Sequence, residues 1–152
     1  MNQEFKDALD DSPIIAAIKD NNGLKKCLTS SSSVIFILYG DICNISDIVD
    51  EVKKAGKIAM VHIDLINGLS SKEITVDFIK KYTNADGIIS TKPTLIKRAR
   101  ELSLYTILRL FVIDSMAYEK QAGLSLTKKD IFEILDAGAT CISSSNEEVW
   151  FL

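Results

Sequence analysis

The sequence predicts an α/β fold: a parallel (β/α) TIM-barrel-like domain over residues 1–152, incomplete, with about six strands evident. Three observations carry this. Short apolar runs begin at spacings of roughly 20 to 30 residues, each followed by a helical pattern, which is the βα unit of a parallel sheet. Several of these runs are apolar almost throughout, as strands covered on both faces are. Polar residues gather where the runs end, as they do at the mouth of an α/β barrel. A full barrel needs about eight strands and at least about 200 residues, so a chain of 152 residues is short for one.

The elements follow in order. Phe5 to Leu9 predicts a short helix, stopped before Ser12-Pro13. Ile14 to Ile18 is the first strand, ending in Lys19-Asp20, and Asn22 to Leu28 a brief helix. The serine tract at Ser30 to Ser33 is too short to link two domains. Val34 to Tyr39 is the second strand, ending in Gly40-Asp41. Ser46 reads as the N-cap of a helix over Asp47 to Ala55, with Gly56 as its stop. Ala59 to Leu69 (AMVHIDLINGL) is the third and central run. Alternation puts Val61, Ile63 and Leu65 on one face, and Met60, His62 and Asp64 on the other.

A helix over about Ser71 to Tyr82 sets Ile74, Phe78 and Ile79 at helical spacing. Asp86 to Thr91 is the fourth strand, with Ile88 and Ser90 on one face and Lys92 at its mouth. Thr94 to Leu102 is the next helix. Thr106 to Ile113 is the fifth strand, whose face Ile107, Arg109, Phe111, Ile113 carries a lone arginine before Asp114-Ser115. Beyond it come a helical Met116 to Gln121 and a strand stub at Ala122 to Leu126. Thr127 then caps a helix over Lys128 to Ala137. The last strand is Ala139 to Ser143, followed by Ser144-Ser145-Asn146 and a final turn.

Composition narrows the function. Apolar residues make up 47% and charged residues 26%, an ordinary globular mixture. No apolar run reaches the roughly 18 residues of a membrane span, and MNQEFKDALDDSP lacks the three-part pattern of a signal peptide. A cytoplasmic location and no membrane partner are expected. Cys27, Cys43 and Cys141 are odd in number and far apart, so they read as reduced, mostly buried thiols. One histidine and scattered acids point to no metal or cofactor. A net charge of −3 and a pI near 5.2 do not advertise a nucleic-acid binder.

Two constellations carry chemistry. Ser143, Ser144, Ser145 and Asn146 stand where a strand turns into a helix, and backbone N–H groups there, flanked by hydroxyls, make an anion site. A plain capping turn would use the same residues. Asp41, His62, Asp64, Lys92, Arg109 and Asp114 all fall near the mouth. Arg109 in an apolar run calls for a carboxylate partner, and Asp64 or Asp41 is placed to serve. Lys92 suits a phosphate contact or a Schiff base, and equally a solvated residue before Pro93. Two basic clusters, Lys53/Lys54/Lys57 and Lys97/Arg98/Arg100, read as solvated helix faces. No Walker, G-x-S-x-G or G-x-G-x-x-G motif is present.

GDI at Gly40 to Ile42, HIDLINGL at His62 to Leu69, DGIISTK at Asp86 to Lys92, RLFVIDS at Arg109 to Ser115 and AGATCISSSNEEVW at Ala137 to Trp150 stand in order. Together they resemble the glycerol-3-phosphate-responsive antiterminator family over nearly the whole chain. The resemblance implies a (β/α) barrel that is not an enzyme. It implies a cytoplasmic regulator that binds glycerol 3-phosphate and acts on leader mRNA to carry transcription past a terminator. It also lends weight to the basic clusters as an RNA surface. One section departs. Between Glu119 and Thr127 roughly 35 to 40 residues of strand–helix–strand are missing against the barrel unit count, and only Gly123 stands near the family's Gly-Gly strand end. By the resemblance, Gly123, Lys92 and Ser143 to Asn146 are the phosphate-binding candidates. Two alternatives remain: a phosphate-binding lyase or isomerase with Lys92 or Asp64 as catalyst, and a truncated paralogue without ligand. The oligomeric state is open, a homo-oligomer included.

Overall fold

The computed structural model describes residues 3–109, 142–144 and 150–151. Helix α1 (Gln3–Asp11) leads into β1 (Ile14–Ile18), followed by α2 (Asn21–Cys27), β2 (Val34–Ile37) and α3 (Ile45–Lys54). Strand β3 (Ile58–His62) turns directly into a one-turn 3₁₀ helix (Ile63–Leu65). Then come α4 (Ile74–Tyr82), β4 (Gly87–Ser90), α5 (Pro93–Glu101), β5 (Tyr105–Leu108) and, near the C-terminus, β6 (Ile142–Ser144).

The sheet runs β5-β4-β3-β2-β1-β6 and every pair is parallel. Consecutive strands are neighbours, and the last described strand returns to lie beside the first, the order a barrel wall requires. The outer face carries Ala16, Ile18, Ile35, Ile37, Ala59, Val61 and Ile88 in one apolar cluster with residues of α2, α3, α4 and α5. Trp150, 1% exposed, joins that cluster. The inner face carries Ile15, Val34, Met60 and Ile89, and α1 covers them with Phe5 and Leu9. Phe5 stacks on Tyr105 with ring centroids 4.8 Å apart, so α1 lies across the N-terminal ends of the strands.

Local chemistry sets the boundaries. Asp20 caps α2 by accepting the Gly23 N–H at 2.7 Å. Pro93 opens α5, where its missing N–H costs no hydrogen bond. Gly87 lies level with Met60 and Tyr105, and a Cβ there would stand 2.3 Å from the Tyr105 carbonyl oxygen.

Several expectations need correction. The central strand stops at His62 rather than running towards Leu69. The 3₁₀ turn breaks the alternation, so Ile63 stays in the outer cluster while Leu65 is 45% exposed. The second strand ends at Ile37, two residues early. Helix α3 starts at Ile45 with Asn44, not Ser46, at its N-cap. Helix α4 begins at Ile74 and buries Thr75, Val76 and Ile79, which leaves Ile74 exposed. The features expected between Phe111 and Cys141, including the missing section after Glu119, lie outside the described residues. No described helix is long and apolar enough to cross a membrane.

Candidate functional site

The site is built where β3, β4 and β5 end. His62 closes β3 in register with Ile89 and shares the inner face with Met60 two residues earlier. It is 3% exposed. The 3₁₀ turn that follows carries Asp64 off the strand line and over the end of β4. There one carboxylate oxygen accepts from the Ser90 hydroxyl at 2.9 Å and from Lys92 Nζ at 3.4 Å. The other accepts from the Thr91 N–H at 2.8 Å and the Thr91 hydroxyl at 3.0 Å. Ser90 Oγ accepts in turn from the Lys92 N–H at 3.0 Å. Burial pushes the Asp64 carboxyl up, but the Thr91 and Ser90 hydrogen bonds and the Lys92 charge outweigh it and hold it below the usual carboxylate range.

Arg109 follows β5 and extends its ladder, donating its N–H to the Ser90 carbonyl at 2.9 Å. Its Nη1 lies 3.3 Å from His62 Nε2. A guanidinium can only donate, so Nε2 accepts and the ring proton sits on Nδ1. Nδ1 is buried and has no partner among the described residues. A buried donor without an acceptor costs about 1–3 kcal/mol. Burial first, with the Arg109 and Lys92 charges, holds the imidazole below its ordinary value against the pull of Asp64 and of a contact with its own backbone. His62 is therefore a neutral ring with its proton directed by Arg109.

The structure brings together His62, Asp64, Lys92 and Arg109 of the residues singled out in the sequence. The carboxylate partner expected for Arg109 is not found among the described residues. Asp64 is taken by the end of β4, and Asp41 by the backbone N–H groups of Cys43 (2.8 Å) and Asn44 (3.0 Å) before α3. Arg109 instead meets the imidazole. Ser143 and Ser144 belong to β6, in register with Ile15 and Ala16, so β1 and β2 separate them from β3. Asp114, Gly123, Ser145 and Asn146 lie outside the described residues. Ser90 and Thr91 were not anticipated as site residues. Their only signal is a polar pair closing an apolar strand next to a strand that itself ends in a carboxylate.

Half of the residues in the two basic clusters are engaged. Lys57 is buried, with Nζ donating to the carbonyls of Ser30 (2.9 Å) and Ser32 (2.7 Å). Lys53 pairs with Asp86 at 2.8 Å, and Arg98 with Asp77 and Glu101. Lys54, Lys97 and Arg100 are exposed. Cys27 is a buried free thiol and Cys43 an exposed one, so the expectation of mostly buried cysteines fails at Cys43; Cys141 lies outside the described residues. No described group of three or more histidine, cysteine or acidic side chains is placed to hold a metal.

Comparison with known proteins adds to this geometry. Residues 14–122 match the family model described as glycerol-3-phosphate responsive antiterminator. An uncharacterised Escherichia coli K12 protein, YgcP, is 46% identical over 126 residues, which are 81% of this chain and 65% of that protein. The chain thus spans just under two-thirds of that relative's length. Among solved structures, the glycerol uptake operon antiterminator regulatory protein of Listeria monocytogenes superimposes with a TM-score of 0.79 at 25% identity, covering 90% of this chain and 94% of that one. A glycerol uptake operon antiterminator-related protein of Thermotoga maritima gives 0.76 at 28% identity, covering 91% and 98%.

Proposed function

The chain belongs to the glycerol-3-phosphate responsive antiterminator family, regulators rather than enzymes, and from that premise we propose that it is a single-domain sensor. It binds a small phosphorylated polyol of the glycerol 3-phosphate kind at the C-terminal mouth of its sheet and acts, when loaded, on leader mRNA in the cytoplasm. One observation carries the ligand part: the pairs His62–Arg109 and Asp64–Lys92 are both built at the C-terminal ends of β3, β4 and β5. Barrels assemble small-molecule sites in this way, from several strand ends at once. In this reading Ser143 to Asn146 and Gly123 supply further ligand contacts.

Regulation rather than catalysis fits the chemistry of the strand ends. Lys92 is tethered to Asp64, and that carboxylate is saturated by Ser90 and Thr91. Neither group is poised as a free base or nucleophile. RNA binding by a chain of net charge −3 relies on few phosphate contacts, with Lys54, Lys97 and Arg100 available. It is therefore weak without ligand and falls steeply with salt.

Calorimetric titration with glycerol 3-phosphate, glycerol and inorganic phosphate tests the sensor, and a mobility shift of leader transcript with and without the tightest ligand tests the output. The expected result is preference for glycerol 3-phosphate over glycerol and ligand-dependent RNA retention. Equal affinity for both polyols, or tight RNA binding by the free protein at physiological salt, overturns the reading.

A further inference from the structure

We infer that the ends of β3, β4 and β5 form an oxyanion subsite in which His62 Nδ1–H, the Arg109 guanidinium and the Lys92 ammonium receive a phosphate or carboxylate oxygen. This deepens the proposed function and rests on it only for the identity of the whole ligand.

The argument is an inventory of donors and acceptors. Both oxygens of Asp64 are taken, by Ser90 and Lys92 on one and by the two Thr91 donors on the other. Ser90 Oγ donates to Asp64 and accepts from the Lys92 backbone. His62 Nε2 accepts from Arg109. The charged and ring acceptors of the cluster are thus engaged, and among its side chains only the Thr91 hydroxyl oxygen keeps accepting capacity. Donors remain: the buried Nδ1–H, and the N–H groups that Arg109 and Lys92, with about five and three apiece, do not spend on His62 and Asp64.

Charge points the same way. Two cations stand against one carboxylate, with the imidazole neutral between them. A polyol hydroxyl entering here could accept a hydrogen bond, and for its own proton would find only the neutral Thr91 hydroxyl oxygen, leaving the surplus positive charge unanswered. A metal cation would meet N–H groups. An oxyanion satisfies the surplus donors and the surplus charge together, and charge-assisted hydrogen bonds are the strong ones. A phosphorylated polyol therefore presents its anionic end to His62, Arg109 and Lys92. That keeps Lys92 as a phosphate contact and moves the anion from the Ser143 to Asn146 segment expected from the sequence to the ends of β3, β4 and β5.

The chain has a single histidine, so its imidazole resonances are assignable without ambiguity. In 15N–1H spectra of the full-length protein the ring should be neutral and protonated on Nδ1. Inorganic phosphate and glycerol 3-phosphate should shift that Nδ1–H and slow its exchange, while glycerol leaves it unmoved; a parallel titration with acetate tells a phosphate-type from a carboxylate-type subsite. His62→Asn, whose amide can replace the Nδ1 donor, should retain glycerol 3-phosphate affinity within about threefold, whereas His62→Leu should lose about tenfold or more. Protonation on Nε2, or a ring that responds to glycerol and not to phosphate, overturns the subsite. Glycerol 3-phosphate binding that leaves His62 silent overturns it too and leaves the proposed function standing. Phosphate that moves His62 in a protein with no affinity for glycerol 3-phosphate supports the subsite and removes that function.

Discussion

Replacing Asp64 by asparagine should destabilise the protein by about 3 kcal/mol, from the contacts it makes. The native carboxylate accepts four donors, three of them at 2.8–3.0 Å and the Lys92 ammonium at 3.4 Å. Asparagine keeps the volume but turns one oxygen into an NH2 group facing either the Ser90 hydroxyl or the Thr91 N–H. The hydroxyl can rotate to accept; the backbone N–H cannot. The loss is therefore one or two charge-assisted bonds, worth roughly 1.5–3 kcal/mol each, and the half-exposed Lys92 contact adds little. The pH dependence supplies an independent signature. A carboxyl held below its ordinary 3.8 contributes stability that is present above that value and lost as the pH falls through the lower folded value. Asp64→Asn should flatten this acid limb as well as lower the plateau. Urea unfolding near neutral pH and along an acid series reads both. A variant within about 0.5 kcal/mol of wild type, with an unchanged acid limb, would refute the claim that Asp64 ties β3 to β4.

Gly87→Ala should cost about 3 kcal/mol or more, because its Cβ would meet the Tyr105 backbone oxygen at 2.3 Å as well as Met60 Cε at 2.8 Å. Gly56→Ala, at φ +76° with nothing within 4 Å, should cost only about 1–2 kcal/mol, and equal urea midpoints for the two would contradict the packing argument. Burial lowers His62 from its ordinary 6.5, helped by Arg109 and Lys92 and opposed by Asp64. The unfolded chain thus takes up the proton first on acidification, so stability should decline below about pH 6.5; His62→Asn should remove that slope, as measured by urea titration on either side of it. Burial pushes the Cys27 thiol up to about 11 against the pull of Lys57, whereas Cys43 is exposed. Peptide mapping after brief alkylation should find Cys43 modified at least about tenfold faster, and equal rates would place Cys27 in an accessible position.

How much was legible in the sequence follows from what each residue had to satisfy locally. Ile14 to Ile18 came out to the residue, since an apolar run between Pro13 and Lys19 has no competing pattern. The central run was overextended because Ile63 and Leu65 keep period-two spacing into the 3₁₀ turn, and alternation alone does not distinguish a strand from such a turn. Ile74, Phe78 and Ile79 keep helical spacing, yet the helix starts at Ile74 and its buried stripe begins one position later, at Thr75. Lys57 looked like part of a solvated face. Its burial depends on two carbonyls of the serine tract 25 and 27 residues away, which no local pattern encodes. Arg109 was assigned a carboxylate on the premise that it is buried; it is exposed and needs none, so His62 meets it instead.

The position of His62 in the stack of side chains explains why the site sits where it does. Level with it on the inner face lies Ile89, below it Met60, at 2% and 0% exposure, and beneath them Ile15 and Val34 under Phe5 and Leu9 of α1. That end of the sheet is filled with apolar side chains and covered by a helix, so a charged ligand would be desolvated there with nothing to pair it. One step above Met60 the inner face changes character, and its first polar atom is a buried donor backed by an arginine. His62 thus forms the floor of the mouth, with Lys92 and Arg109 above it. In the proposed subsite an anion would meet the Lys92 and Arg109 charges together with the His62 N–H. Deepening the site by trimming Met60 should therefore admit no polar ligand, whereas changing His62 should alter which ligand is kept.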